Sequence, residues 1–291
     1  RSVLPAENLL LVNTPTRFNS ETTKNLARRL AENLEAPFVE LPIDSFINET
    51  VSQIDDLQIP SPSDMKTLHL TGFMKENIQA RDRSTRILAT LSSAFGGIFT
   101  CNANKTELTV GYGTLYGDLS GALAATADLW KHQIYALGRT LNRYFDKNMI
   151  PDEIFTVRPS AELSENQDIT KGLGDPLIYE YHDFLFRSFI EPWNRITPEE
   201  ILTWYSKNCL EEQLGTPVSI KSIFKTHHDF ITDLEKWWNL FAGFAVAKRI
   251  QAPPLLAVSR RPYGYDLRES QIAPYYTDTY IHLKNSLLSN G

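Results

Sequence analysis

The first forty-three residues hold the pattern that most restricts what this chain can fold into. ENLLLVNTP at 7–15 is a short apolar run stopped by a turn signal, and it reads as a strand buried on both faces. SETTKNLARRLAENL at 20–34 follows. Ser20 is a candidate N-cap, and Leu26, Leu30 and Leu34 line one stripe of an amphipathic helix. PFVELPI at 37–43 is a second strand. Strand, helix and strand joined by short links make a βαβ unit, which implies a parallel sheet with a right-handed crossover.

The pattern continues along the chain. Residues 44–72 are polar with a Pro/Ser cluster and read as a short helix with loops. A long helix is expected from about Phe73 to Phe95, closed by Gly96 and Gly97. GIFTCNA is then a further strand, NKTELTVGY a helix start, and HQIYALGRTLNRYF at 132–145 another helix. The fold class is therefore α/β, a doubly wound parallel sheet over residues 1–175. Residues 176–247 are helical in pattern and aromatic-rich, and read as an appended helical lobe; residues 248–291 form a C-terminal segment.

The composition narrows the function classes. With 42% apolar residues the 291-residue chain can bury a substantial core. A net charge of −6 is not the footprint of a nucleic-acid binder. No apolar run reaches the roughly 20 residues needed to span a bilayer, and the start RSVLPAENLLLV has no signal-peptide layout. Two cysteines, Cys101 and Cys209, make no disulfide framework. A cytoplasmic location without nucleic-acid or membrane partners is the expectation.

In open parallel sheets, ligands bind beyond the carboxyl ends of the strands. Asn102–Asn104 and the following Glu107 fall at such an end, and Asn102, Glu107, Asp118, Lys131 and Ser160 all sit at or beside the ends of expected elements. A carboxylate at a helix start after a buried strand suits Mg²⁺, which takes carboxylate oxygens and substrate phosphates. Lys131 would offer an ammonium to phosphate oxygens. These residue types alone point to an enzyme that handles a phosphorylated nucleotide with magnesium. His227-His228 reads as structural, Cys101 as a packed side chain, and Asn104-Lys105-Thr106 as an accidental glycosylation sequon. The basic run Lys248, Arg249, Arg260, Arg261 and Arg268 is a solvated face, or meets dinucleotide phosphates across a subunit interface.

ENIQARDRSTR, NANKTELTVGYGTLYGD, DLWKHQIYALGRTLN, RPSAELSENQD and KRIQAPP, in this order, resemble the synthetase domain of NAD synthetase, a PP-loop ATP pyrophosphatase family. The resemblance runs from about Leu9 to Asp168 and returns at Lys248–Arg268. It implies amidation of deamido-NAD (nicotinic acid adenine dinucleotide) through an acyl-adenylate, with ATP as co-substrate. Carried over by motif, Glu107 of NKTE matches a magnesium ligand and Lys131 of DLWK a contact to ATP phosphates. Ser160 of PSAEL and Asn102 match ATP contacts, and Arg81 and Lys248 match deamido-NAD contacts. Asp118 of LYGD matches a position near the reacting carboxyl, with a role in placing ammonia; Asp118 and Lys131 are the catalytic candidates. A homodimer or higher homo-oligomer is expected.

The sequence departs from that family in three places. Asn102 stands where a threonine is usual. KGLGDPLIYEYHDFLFRSF replaces the usual stretch after PSAEL. The S-G-G-x-D-S loop, whose backbone amides cradle pyrophosphate, is absent from the sequence. The chain is therefore expected to be a fragment that is inactive alone, with that loop encoded upstream; the rarer alternative is a paralogue that has lost it. Ammonia would come from solution or from a glutaminase domain, which could also have preceded the loop. Two other readings remain: a non-catalytic nucleotide-binding or assembly module, and a different PP-loop adenylating enzyme.

Overall fold

The computed structural model describes residues 4–62, 64–263 and 274–289. It divides into two compact units, each made of discontinuous segments. Among the described residues the first comprises 4–62, 64–99, 116–118 and 135–176; the second comprises 100–115, 119–134, 177–263 and 274–289. Residues 100–115 and 119–134 thus group with the segment from residue 177 onward.

In the first unit, β1 (Leu11–Asn13) and β2 (Phe38–Glu40) pair in parallel through α1 (Glu21–Asn33), in register Leu11 to Phe38, Val12 to Val39 and Asn13 to Glu40. Ser20 caps α1 by accepting the Thr23 N–H, and Leu26 is buried, as the amphipathic stripe predicts. α2 (Asp44–Ile54) follows, then an exposed antiparallel hairpin of β3 (Gln58–Pro60) and β4 (Met65–Thr67) where the sequence suggested loops. The expected long helix is a run of α3 (Gly72–Arg81), a π-helical stretch at Asp82–Leu88 and α4 (Ala89–Phe95). It ends at Gly96, whose φ of 78° is the left-handed conformation that glycine adopts without steric cost.

The second unit begins where GIFTCNA was read as a strand. There, pairing is limited to an isolated parallel bridge between Thr100 and Leu123, with another between Ala124 and Leu255. Short helix α5 (Lys105–Val110) follows, then α6 (Lys131–Tyr144), whose residues 131–134 belong to this unit and 135–144 to the first. The rest is helical: α7 (Tyr179–Ile190), α8 (Pro198–Ser206), α9 (Leu210–Leu214), α10 (Ile220–Ile223), α11 (His227–Ala242), α12 (Ala245–Gln251) and α13 (Asp278–Ser289).

Aromatic packing holds this unit together. Tyr181, Leu185, Phe186 and Phe189 of α7 are fully buried with Phe230, Leu234 and Trp237 of α11. The Phe186 and Trp237 ring centroids lie 5.6 Å apart at 63°, within the range of favourable edge-on aromatic contacts. The observed architecture is α/β with parallel pairing in each unit and a predominance of helices. Its short sheets do not amount to a doubly wound sheet among the described residues. No helix there is long and apolar enough to cross a membrane.

Candidate active site

The second unit holds Asn102, Glu107, Lys131 and Lys248; the first holds Arg81, Asp118 and Ser160. Glu107 is positioned by a reciprocal cap at the start of α5. Asn104 Oδ1 accepts the Glu107 N–H at 3.0 Å, and Glu107 Oε2 accepts the Asn104 N–H at 3.0 Å. Such a box satisfies two backbone donors left open at a helix start and fixes the side chain that makes it. The other carboxylate oxygen, Oε1, lies 3.9 Å from Lys131 Nζ and 3.5 Å from the Tyr179 hydroxyl. The Lys131 ammonium also sits 5.1 Å from the centre of the Tyr179 ring. Twenty-four positions apart in sequence, Glu107 and Lys131 thus form one ion pair, bordered by a tyrosine from the helical lobe.

The helix starts that carry this pair are tied together by two buried side chains. Thr106 Oγ1 donates to Asp183 Oδ1 at 2.5 Å and accepts the Lys131 N–H at 3.3 Å. Asp183 Oδ2 accepts the His132 N–H at 2.8 Å and lies 2.7 Å from His132 Nδ1. Asp183 and Tyr179 are one turn apart on α7, so both face the same side.

Lys105, also in the NKTE motif, points the opposite way into the interior and is fully buried. Its ammonium donates to Asp128 Oδ1 at 2.8 Å, Ser259 Oγ at 2.9 Å and the Arg261 carbonyl at 2.9 Å. Burial alone would raise the Asp128 carboxyl. The hydrogen bonds from Lys105, Ser259 and the Val258 N–H outweigh it and hold the carboxyl below its ordinary value.

Lys248 reaches the glycine-rich turn after α5. Its ammonium donates to the Gly111 and Gly113 carbonyls, each at 2.6 Å. Gly111 has φ of 66°, and a Cβ there would lie 2.9 Å from Ala245 Cα, so the turn needs glycine for both conformation and space. Arg249 beside it is buried, donating to the Thr109 and Phe241 carbonyls. Asn102 is exposed, and its side-chain oxygen accepts from the Thr100 hydroxyl at 3.1 Å.

In the first unit, Ser160 Oγ donates to the Gln167 carbonyl at 2.7 Å and accepts the Glu162 N–H at 3.1 Å, which closes the PSAEL loop on itself. Glu162, passed over in the sequence, is buried. It accepts from the Ser20 N–H at 3.1 Å, Asn19 Nδ2 at 3.2 Å and the Thr23 hydroxyl at 2.7 Å, fixing the loop to the start of α1. Arg81 is exposed at the end of α3, and Asp118 is exposed. Burial lowers the Arg83 guanidinium from its ordinary value, opposed by the carboxylates of Asp118 and Glu162. Arg268 lies outside the described residues.

Two side observations dispose of other candidates. His227 Nδ1 lies 2.8 Å from the Tyr205 hydroxyl in the lobe, a packing role. Asp55, Asp56 and His69 are the one metal-capable cluster among the described residues. They are already engaged on the surface: Asp55 with Lys75 at 3.1 Å, and Asp56 with His69 at 3.0 Å.

A family model described as NAD synthase matches residues 1–221. A glutamine-dependent NAD(+) synthetase of Thermotoga maritima is 32% identical over 198 residues, covering 68% of this chain and 32% of that protein. One from Xanthomonas campestris pv. campestris is 30% identical over 265 residues, 91% of this chain and 41% of its own length. An NH(3)-dependent NAD(+) synthetase of Helicobacter hepaticus is 30% identical over 212 residues, 72% of each chain. A solved glutamine-dependent NAD(+) synthetase from Cytophaga hutchinsonii superposes with a TM-score of 0.65 over 96% of this chain and 40% of its own, at 19% identity, a likeness of fold. The chain thus spans 32% and 41% of the length of the two glutamine-dependent relatives described. With the family model matching 221 of its 291 residues, the chain belongs to the NAD synthase family.

Proposed function

We propose that these residues form the ligase part of an NAD synthetase, which amidates deamido-NAD at the expense of ATP. The substrate carboxylate attacks the α-phosphate of ATP and pyrophosphate leaves. Ammonia then adds to the acyl-adenylate, an amide forms, and AMP departs with loss of a proton. Ammonia comes from solution or from a glutaminase part of a longer protein. The finer fold reading is a doubly wound PP-loop sheet, supported by the parallel sense of the β1–β2, Thr100–Leu123 and Ala124–Leu255 pairings. A cytoplasmic homo-oligomer remains the reading of the assembly.

The observation that carries the proposal is the Glu107–Lys131 pair, 3.9 Å apart on two helix starts within the motifs of the family resemblance. Two polyanions have to meet in this reaction, so cations must face the pyrophosphate as it leaves. Glu107 fits a magnesium site. One of its oxygens is spent on the cap, while the other faces a lysine, a donor set suited to an ion that draws its remaining ligands from phosphates. When bound, Mg²⁺ would neutralise phosphate charge. Lys131 would place a compact point charge on the same phosphates. Asn102 and Ser160 are assigned to ATP, Arg81 and Lys248 to deamido-NAD, and Asp118 to placing ammonia. For Lys248, the two carbonyl bonds orient the ammonium and fix the Gly111–Gly113 turn together.

The test is pyrophosphate release from ATP and deamido-NAD by a protein that carries these residues together with an S-G-G-x-D-S loop. Glu107→Gln and Lys131→Ala are each expected to slow it on the order of 100-fold or more, as for other groups acting on transition-state charge. Near-normal turnover in both variants would refute the assignment.

A further inference from the structure

The helical lobe supplies more than packing. We infer that Asp183 is a positioning residue, which sets the geometry between Glu107 and Lys131 without touching substrate; the inference rests on the reading of that pair given above. Asp183 has no solvent exposure, yet it carries a carboxylate on the helix that buries Tyr181, Leu185, Phe186 and Phe189. A buried carboxylate is costly unless hydrogen-bonded, and the partners of this one are informative. They are the Thr106 hydroxyl, next to Glu107, and the backbone N–H and ring nitrogen of His132, next to Lys131.

A single rigid group therefore grips both segments that present the charged pair. Thr106 closes the triangle by accepting the Lys131 N–H. The Phe184 ring stacks on His132 at 5.1 Å and 13°, holding the imidazole against the carboxylate. Tyr179, one turn earlier on α7, meets Glu107 Oε1 and Lys131 directly. The orientation of the pair is thus set from α7. Outer partners that orient metal-binding carboxylates are worth roughly 10–100-fold in metal affinity when removed.

The experiment uses Mn²⁺ in place of Mg²⁺, titrated into the 291-residue chain with ATP present and followed by electron paramagnetic resonance. Glu107→Gln should abolish the protein-bound signal. Asp183→Asn and Thr106→Val should each weaken Mn²⁺ binding about tenfold or more. Thr106→Ser, which keeps the hydroxyl, should restore it, while thermal midpoints of the two Thr106 variants stay within a few degrees of each other. Amide exchange at Lys131 and His132 should speed up in Thr106→Val and Asp183→Asn. If Asp183→Asn does not fold, the Thr106 pair decides. Loss of Mn²⁺ in Glu107→Gln with unchanged binding in the Asp183 and Thr106→Val variants would overturn the inference and leave the site reading standing. Unchanged binding in Glu107→Gln would overturn the site reading, and the inference with it.

Discussion

The Lys105–Asp128 pair allows a quantitative test of how the second unit is held. Asp128 receives four hydrogen bonds: from Lys105 Nζ at 2.8 Å and Ser259 Oγ at 2.7 Å on Oδ1, and from the Val258 and Ser259 N–H groups at 2.7 and 2.6 Å on Oδ2. Asp128→Asn replaces one of those oxygens by an NH₂. With its NH₂ at the Oδ2 place the amide faces the Val258 and Ser259 N–H groups; with its NH₂ at the Oδ1 place it faces the Lys105 ammonium, while the Ser259 hydroxyl can turn and accept. Each buried group left unpaired costs about 1–3 kcal/mol. The Lys105 ammonium, with no solvent exposure, also loses its nearest counter-charge and keeps only Glu191 Oε1, 3.8 Å away. Breaking a buried pair from one side costs about 3–5 kcal/mol, so a loss of that size is expected, a large share of the roughly 5–15 kcal/mol that stabilises a domain.

Urea unfolding followed by tryptophan fluorescence isolates the effect, because all five tryptophans, Trp130, Trp193, Trp204, Trp237 and Trp238, lie in the second unit. Adding Lys105→Met to Asp128→Asn removes the ammonium that has lost its nearest carboxylate, so the double variant should lose less than the sum of the singles. The acid limb carries a further signature. The folded carboxyl lies below its ordinary value, so its contribution is present above the unfolded value of about 4 and fades as pH falls through the lower folded value. Asp128→Asn should flatten that limb. A loss under about 1 kcal/mol, or strict additivity in the double variant, would refute the account given the magnitudes above.

Gly111→Ala should destabilise the second unit by roughly 2 kcal/mol or more, since the residue sits at φ of 66° and the new Cβ would press on Ala245 Cα at 2.9 Å; urea midpoints compared with Gln213→Ala, an exposed position of the same unit, would check this. At the alkaline end, burial and the nearby Glu235 push the Tyr276 phenol up to about 12, against a smaller opposing effect of its bond with Asn239. Because the folded value lies above the unfolded one, that contribution is intact below about pH 10 and lost as pH climbs toward the folded value. Tyr276→Phe should therefore make the stability of the second unit less sensitive to pH between these limits, and a steeper fall in the variant would contradict the assignment.

Local chemistry alone determined a good deal about this protein. The β1–α1–β2 unit, the Ser20 cap, the helix run closed at Gly96 and the helical character beyond residue 176 all follow from signals a few residues long. Period, capping and turn preferences act over the same range. The placement of Glu107 at a helix start was legible for the same reason, and the motif order identified the family. The strand expected in GIFTCNA was a different case. An apolar run records burial but not pairing, and this one pairs at Thr100 alone.

What only the tertiary structure decided is which polar side chains are buried and with whom. Lys105 reads in the sequence as one more charged residue on a helix; its burial depends on Asp128 and Ser259, 23 and 154 positions away. Asp183 sits in the aromatic-rich stretch that reads as an appended helical lobe. Its partners, Thr106 and His132, come from two other helix starts. The Glu107–Lys131 pair likewise exists only because α5 and the first turn of α6 meet at α7. The physical reason for the first two is that a buried charge is tolerable only when distant segments deliver its partners. The third pair is partly exposed, but in all three cases no short window of sequence contains both halves of the contact.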